Sequence, residues 1–192
     1  MTIPRQLPNA ITIARIPLAV VFFILLLLAG TFGADDIVLR WVAAGLFVLA
    51  ISTDWIDGYL ARRYDIVSDF GKLWDPIADK LLTGSALVVF SIIGELPWWV
   101  TIVILVREWG ITLLRFAVIR YGVIAADMGG KIKTVLQTVA IILYLLPFTH
   151  TIDWLGTTAW IIMLLTVAVT VLTGLDYVVK AAKLRSNARR TQ

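Results

Sequence analysis

Six long apolar stretches, separated by short polar connections, account for most of the chain. A helix that crosses a bilayer needs about 20 mostly apolar residues, and each stretch approaches or exceeds that length. The pattern therefore predicts an all-α integral membrane protein with six transmembrane helices. The predicted stretches cover about residues 10–32, 37–64, 71–94, 98–121, 132–146 and 154–179.

Proline, glycine and basic residues mark the predicted helix ends. Pro8-Asn9 indicates a helix entry with Asn9 as its N-cap, and Pro76 fits the first turn of the third helix. Gly129 and Gly130 are interpreted as a loop before the fifth helix. The chain is treated as one membrane domain, residues 1–192. Within it, residues 1–14 are an interfacial lead-in and residues 180–192 are a basic, partly disordered tail.

Composition supports a lipid environment and narrows the metal chemistry. Hydrophobic residues make up 60% of the chain, and its mean hydropathy is +0.91; soluble proteins have roughly 45–50% apolar residues. There is no cysteine, and His150 is the single histidine, so disulfides, thiolate sites and multi-histidine sites are excluded. Carboxylates remain as metal ligands, and they suit Mg, Ca or Mn.

The distribution of basic residues predicts the orientation in the membrane. With six spans, 16 of the 17 lysines and arginines lie towards one side, and only Arg40 lies near the other. Positive charge accumulates on the cytoplasmic side, so both termini are predicted to be cytoplasmic. The net charge of +4 is explained by this topology and not by a nucleic-acid partner.

Four aspartates stand out at the ends of two consecutive apolar stretches. On the second helix Asp54, Asp57, Gly58 and Ala61 share one face, because successive residues turn by about 100°. On the third helix Asp75 and Asp79 are one turn apart.

Carboxylates in a membrane are costly and usually functional, and their mutual repulsion is relieved by divalent cations. If the two helices are neighbours, two cations about 3.5–4 Å apart could clamp a diphosphate there. The alternative is that the acids only form ion pairs at the membrane boundary, with the basic residues Arg62, Arg63, Lys72 and Lys80.

A second polar group lies on the fourth and fifth helices. Arg107, Glu108 and Arg115 fall within about a 100° arc of the fourth helix. Lys131 and Lys133 open the fifth helix, where free N–H groups and the helix dipole favour an anion. This wall of cations predicts a negatively charged substrate. The alternatives are a mutually neutralising Arg107–Glu108 pair and ordinary positive-inside placement of the lysines.

Some polar residues have no clear role from the sequence. Asn9, Thr12 and Arg15 of the first helix are candidates to reach the site, with capping or interfacial placement as the alternative. Asp176 and Tyr177 in the sixth helix are a candidate polar contact within the bundle.

The motif Asp54-x2-Asp57-Gly58-x2-Ala61-Arg62-x8-Gly71-x3-Asp75-x3-Asp79 resembles that of the CDP-alcohol phosphatidyltransferases at every position. The resemblance implies a six-helix, often dimeric membrane enzyme. It further implies that the four aspartates bind two Mg or Mn ions and that Asp79 is the base for the acceptor hydroxyl. The residues expected to bind the nucleotide and its diphosphate are Asn9, Asp57, Gly58, Ala61, Arg62 and Gly71.

The segments from Arg107 to Arg115 and from Gly130 to Gln137 are similar to the phosphatidylglycerophosphate synthase branch of this family. That branch transfers a phosphatidyl group from CDP-diacylglycerol to glycerol 3-phosphate and releases CMP. The resemblance makes four residues candidate ligands of the acceptor phosphate: Arg107, Arg115, Lys131 and Lys133.

The same resemblance implies a homodimer in a bacterial inner (plasma) membrane. The charge asymmetry, with Asp57 only about five residues from Arg62, predicts an active site just inside the cytoplasmic boundary. Three other interpretations stay open. The first is the same chemistry with inositol phosphate, phosphatidylglycerol or serine as acceptor. The others are a divalent-cation transporter and a structural membrane protein whose acids are merely interfacial.

Overall fold

The computed structural model describes residues 7–63, 69–118 and 128–190, and it describes side chains for residues 14–53, 55, 77–118, 128–184 and 186. The described part is all-helical, as predicted, with a 3-10 turn at Thr31–Gly33 after the first helix. Its six α-helices are α1 Leu7–Ala29, α2 Ile37–Arg63, α3 Asp69–Ile92, α4 Trp98–Val118, α5 Met128–Leu145 and α6 Asp153–Arg190.

Two predicted helix starts were wrong because hydropathy does not report the first polar turn of a helix. Helix α1 begins at Leu7, so Asn9 lies inside its first turn and is not the N-cap. Helix α3 begins at Asp69, so Pro76 lies in the helix interior. Its ring there deprives the carbonyl of Lys72 of a helical N–H partner.

Two further boundaries were wrong for related reasons. Helix α5 begins at Met128, which places Gly129 and Gly130 inside the helix and leaves Lys133 beyond the free N–H groups of its first turn. Helix α6 continues to Arg190, so residues 180–190 are helical and not disordered. Alanine, leucine, lysine and arginine, which dominate this segment, are all good helix formers.

The six helices form a closed ring in which each packs against its two neighbours. Helix α1 packs against α2 and α3, α2 packs against α5, α5 against α6, α6 against α4, and α4 against α3. Helices α3 and α5 also touch across this ring. As a result α2 and α3, which carry the aspartate motif, have α1 and α5 as common neighbours.

The interior of the ring is a continuous apolar core, while much of the outer surface is apolar as well. Phe22 and Phe47 pack with ring centroids 5.5 Å apart, and both are fully buried. On the outside of α4, Ile102 and Val106 are exposed, about one turn apart. Exposed apolar surface of this kind is typical of a helix face that contacts a membrane or another protein.

Within the described residues, two helices are long and apolar enough to cross a membrane by composition. They are α5 and residues 153–184 of α6. Shorter apolar stretches cover residues 14–29 of α1 and 37–53 of α2.

A fully buried ion pair joins several elements at one end of the bundle. Arg40 donates two hydrogen bonds to Glu95, of 2.6 and 2.7 Å, and both side chains are inaccessible to solvent. Arg40 also donates to the carbonyls of Tyr144 (2.7 Å), Leu145 (3.1 Å) and Gly30 (3.5 Å). We call Arg40, Glu95 and these carbonyls the Arg40 cluster. It ties α2 to the α1–α2 turn, the α3–α4 turn and the last turn of α5.

Candidate functional site

The aspartate motif lies on two helices that share α1 and α5 as packing neighbours. Asp54 and Asp57 belong to α2, and Asp75 and Asp79 belong to α3. Of these, only the side chain of Asp79 is among those described. Among the described side chains, no group of three or more acids or histidines is placed to hold a metal. The predicted two-metal centre therefore stays a prediction.

All of the predicted nucleotide-binding residues likewise lie outside the described side chains. Besides Asp57, they are Asn9, Gly58, Ala61, Arg62 and Gly71. The backbone shows that all five are helical, in α1, α2 or α3.

The cations of α4 and α5 are brought together around one carboxylate. Lys133 Nζ forms an ion pair with Glu108 Oε1, and Arg107 Nη1 lies 3.8 Å from the same oxygen. All three side chains are largely removed from solvent, with Lys133 only 6% exposed. Lysine is seldom buried to this extent without a partner or a ligand.

Arg107 is held from the side of α6. Its Nη2 donates a 2.9 Å hydrogen bond to Thr173 Oγ1. The next residue, Gly174, lies so close that a Cβ there would be 3.1 Å from Arg107 Cγ. A Cβ at Gly129 of α5 would similarly lie 2.7 Å from Thr173 Cγ2. Glycine at both positions therefore allows α6 to approach α4 and α5 closely, which fixes the guanidinium.

A lysine from α3 joins these residues. Lys80 Nζ donates a hydrogen bond to Thr112 Oγ1 of α4, and its ammonium lies 6.0 Å from the ring centroid of Trp109. Thr112 in turn donates a 2.9 Å hydrogen bond to the carbonyl of Glu108. Lys80 was considered in the sequence only as an ion-pair partner of the motif acids.

These groups are close enough for their charges to interact. The charges of Asp79, Arg107 and Arg115 all act on Lys80, and those of Arg107, Asp79 and Lys80 act on Lys133. We call Lys80, Arg107, Glu108, Arg115 and Lys133, together with Asp79, the cationic cluster. Its four cations outnumber its two carboxylates, which leaves a surplus of two positive charges among these side chains.

Arg115 and Lys131 occupy the more exposed surroundings of the cluster. The Nε of Arg115 lies 3.4 Å from the hydroxyl of Tyr177, and its guanidinium lies 5.9 Å from the centroid of that ring. Lys131 is exposed. It precedes Lys133 by two residues and so lies about 200° away around α5. The structure joins Arg107 and Lys133 through Glu108, places Arg115 beside Tyr177, and leaves Lys131 on another side of α5.

Several buried polar atoms near these helices have no hydrogen-bond partner within the described structure. They are Arg107 Nε, Gln137 Oε1 and Thr170 Oγ1, one each from α4, α5 and α6. Gln137 lies one turn from Lys133 on α5, and both are buried. Most buried polar groups in proteins are hydrogen-bonded. These three atoms can therefore still form hydrogen bonds to a ligand, whereas Arg40 and Glu95 already form theirs within the protein.

Four residues of this region were not identified as site residues from the sequence. Lys80 follows a motif aspartate directly, and Tyr177 was noted without a role, but only the packing of α3 and α6 against α4 shows what they contact. Thr112 lies in the branch-like segment from Arg107 to Arg115 but has no role assigned by it, and Thr173 carries no sequence signal. A threonine on an apolar helix usually bonds its own backbone.

An apolar groove of about 600 Å³ lies apart from the cationic cluster, between α2 and α5. Its walls include Trp41, Gly45 and Thr53 of α2 and Ile142 of α5. It contains none of the charged residues discussed above.

Comparison with known proteins identifies the family. The sequence model of the CDP-alcohol phosphatidyltransferases matches residues 5–172. A probable phosphatidylglycerophosphate synthase of Mycobacterium tuberculosis is 44% identical, over 97% of this chain and 86% of that protein.

Two further relatives carry the name CDP-diacylglycerol–glycerol-3-phosphate 3-phosphatidyltransferase. The Bacillus subtilis protein is 42% identical, over 74% of this chain and 79% of its own length. The Rickettsia bellii protein is 39% identical, over 92% of this chain and 96% of its own length. Since the match covers most of the chain, including the aspartate motif and α4–α5, the chain belongs to the CDP-alcohol phosphatidyltransferase family.

Proposed function

We propose that this protein transfers the phosphatidyl group of CDP-diacylglycerol to glycerol 3-phosphate, giving phosphatidylglycerol phosphate and CMP. The observation that carries the proposal is the surplus of positive charge beside Asp79, at the α3–α4–α5 contact. A cationic pocket next to the predicted base suits an acceptor that presents both a hydroxyl and a phosphate. The names of the relatives describe the same reaction.

Members of this family generally depend on divalent cations. Asp54, Asp57, Asp75 and Asp79 would hold two such ions, either Mg or Mn, because carboxylate oxygens are the ligands these hard cations prefer. When bound, the cations neutralise charge on the diphosphate of CDP-diacylglycerol.

Asp79 accepts the proton of the primary hydroxyl of the acceptor. The hydroxyl oxygen forms a bond to the phosphorus that carries the diacylglycerol, and the bond from that phosphorus to the bridging oxygen of CMP breaks. Positioning and electrostatic stabilisation supply most of the rate enhancement in phosphoryl transfer.

The acceptor phosphate is bound by Arg107, Arg115 and Lys133, with Lys131 as a further predicted ligand to be tested. Arg107 is suited to this task because its planar guanidinium presents a fork of donors and because Thr173 and Gly174 restrict its position. The nucleotide and its diphosphate lie against the predicted set on α1, α2 and α3, where Arg62 contacts a phosphate.

In the membrane, all six helices span the bilayer and both termini are cytoplasmic. The near-exclusive location of lysine and arginine towards one side supports this orientation. The active site then faces the cytoplasm, so glycerol 3-phosphate arrives from water, while the acyl chains of CDP-diacylglycerol stay in the leaflet and its CDP head group extends to the membrane surface. Because the relatives come from bacteria, we place the protein in an inner (plasma) membrane. The resemblance to the family further implies a homodimer as the working unit.

A panel of acceptors tests the proposed reaction. Purified protein is given CDP-diacylglycerol and Mg with glycerol 3-phosphate, inositol phosphate, phosphatidylglycerol or serine, and CMP release is measured. We expect kcat/KM for glycerol 3-phosphate to be at least about tenfold higher than kcat/KM for each of the other acceptors. A clear preference for any other acceptor would contradict the assignment while leaving the family intact.

The role of Asp79 is tested by Asp79→Asn. A general base contributes about 10²- to 10⁴-fold to a rate, so CMP release should fall by at least about 100-fold. Asp153→Asn, an acid in the first turn of α6, is the matched control and should retain activity. Full CMP release by Asp79→Asn with Mg bound would exclude it as the base.

A further inference from the structure

We infer that Lys80 is a ligand of the acceptor phosphate and that Thr112 positions its ammonium group. The inference rests on the proposed function, because it concerns the acceptor of that reaction. It adds a residue from α3 to a phosphate site that the sequence placed only on the fourth and fifth helices.

Thr112 fixes the ammonium of Lys80 through a directed chain of hydrogen bonds. The hydroxyl proton of Thr112 is committed to the carbonyl of Glu108, at 2.9 Å, so its oxygen is left to accept from Lys80. The ring of Trp109, 6.0 Å from the ammonium, adds a cation–π contact on the same helix. A flexible lysine from α3 is thereby held against α4 at a defined point.

The hydrogen bond of Lys80 to Thr112 goes to a neutral hydroxyl, in a place where other cations are close. Asp79 attracts the ammonium of Lys80, whereas Arg115 and Arg107 repel it, and nearby like charges disfavour the charged form of a group. The carboxylate of Glu108 is already engaged by Lys133 and Arg107. An anionic ligand among these groups offsets the repulsion.

The charge of the cationic cluster matches a phosphate monoester. Such a group carries about −1.5 to −2 charges at pH 7, against the surplus of two positive charges in the cluster. An ammonium has three donors, so Lys80 can bond Thr112 and phosphate oxygens together. Lys80 therefore contributes to selecting a phosphorylated acceptor over a neutral or zwitterionic alcohol.

The test compares Lys80→Met and Lys80→Arg in the purified full chain. KM is measured separately for glycerol 3-phosphate and for CDP-diacylglycerol. Lys80→Met should raise KM for glycerol 3-phosphate by about tenfold or more and leave KM for CDP-diacylglycerol within about twofold of the wild-type value. Lys80→Arg should recover part of the loss, and Lys183→Met, an exposed lysine of α6, should change neither value.

Two results would overturn the inference. One is an unchanged KM for glycerol 3-phosphate in Lys80→Met; the other is a rise in KM for CDP-diacylglycerol of equal or larger size, which would place Lys80 at the nucleotide. The activity of the wild-type enzyme distinguishes a failure of this inference from a failure of the proposed function. If it releases no CMP with glycerol 3-phosphate, the function fails; if it is active and Lys80→Met behaves as wild type, only the inference fails.

Thr112 provides a second test should Lys80→Met not fold. Thr112→Val removes the oxygen that holds Lys80 and should raise KM for glycerol 3-phosphate about three- to tenfold at nearly constant kcat. Thr112→Ser keeps the oxygen and should remain close to wild type. The matched control is Thr158→Val, an exposed threonine of α6 that bonds only its own helix backbone at Trp154. If Thr112→Val leaves this KM unchanged, or changes both KM values alike, Thr112 has a merely structural role and the inference is wrong.

Discussion

The Arg40 cluster and the cationic cluster contain similar residues in an apolar protein but differ in charge balance and hydrogen bonding. Arg40 and Glu95 neutralise each other, and the guanidinium directs hydrogen bonds to a carboxylate and three carbonyls. The cationic cluster has two more cations than carboxylates among its side chains, and Arg107 Nε lacks a partner in the described structure. Along α5 the two lie about 12 residues apart, or about 18 Å.

This difference shows how burial alone misleads about function. Both clusters contain charged residues that are costly to bury, yet one is complete without any ligand. A complete cluster stabilises the fold, whereas one with surplus charge and unused donors is suited to bind an anion. Charge balance and hydrogen-bond satisfaction, read together, therefore separate a structural ion pair from a candidate binding site.

The largest effect on stability is expected for Arg40→Met. It leaves Glu95 buried without its cation, which typically costs about 3–5 kcal/mol. Thermal unfolding in detergent measures this loss. Combining Arg40→Met with Glu95→Gln should recover much of it, because no unpaired charge is then buried. A single variant as stable as the wild type would show that the Arg40 cluster does not hold the helices together.

For Arg107→Gln the main effect should be on substrate affinity. Hydrogen bonds to charged groups contribute about 1.5–3 kcal/mol, so KM for glycerol 3-phosphate should rise by about 10- to 100-fold. KM for CDP-diacylglycerol should change much less. If instead the melting temperature falls as far as in Arg40→Met and both KM values stay normal, Arg107 is structural and the contrast between the clusters fails.

A smaller change is expected for Gly174→Ala, which moves Arg107 without removing it. The new Cβ would lie 3.1 Å from Arg107 Cγ, so the guanidinium must shift by a few tenths of an ångström. We expect KM for glycerol 3-phosphate to rise about two- to fivefold. Gly110→Ala in α4 is the control, since its Cβ enters open space. An equal effect of both substitutions would argue against a precise position for Arg107.

The smallest effect is expected for Lys131→Gln. Lys131 is exposed and about 200° from Lys133 around α5, and exposed charges contribute about 0–1 kcal/mol. KM for glycerol 3-phosphate, measured at low and at moderate ionic strength, should change by no more than about threefold. A change as large as that of Arg107→Gln would show that Lys131 contacts the phosphate and would extend the cationic cluster to another side of α5.

Much of the helical arrangement could be predicted because it depends on local properties. The apolar stretches gave six helices whose α2 and α4 starts agree with Ile37 and Trp98. The wrong boundaries at Asn9, Pro76 and Gly129 arose where polar or small residues extend a helix beyond its apolar part. Propensity and packing decide those turns, and hydropathy does not report them.

For the candidate site, the sequence predicted the residue types better than their partners. Of the predicted phosphate ligands, Arg107 and Lys133 share the carboxylate of Glu108 and Arg115 lies beside Tyr177. Their role as ligands stays a prediction, and the sequence did not assign Lys80 or Thr112 to an acceptor site. A lysine on α3 and a threonine on α4 become neighbours only when the two helices pack side by side.

The sequence by itself determined the all-helical, apolar character, the family and the spacing of the aspartate motif, because each depends on residues close together in the chain. The tertiary structure decided which charges neutralise each other. Arg40 and Glu95 are 55 residues apart and form an ion pair in which the two charges cancel. Lys80 and Thr112, 32 residues apart, form a hydrogen bond that leaves the charge of the lysine uncompensated by its partner. The physical reason is that charge balance and hydrogen bonding depend on all the side chains around a residue, and these come from different helices that meet only when the bundle packs.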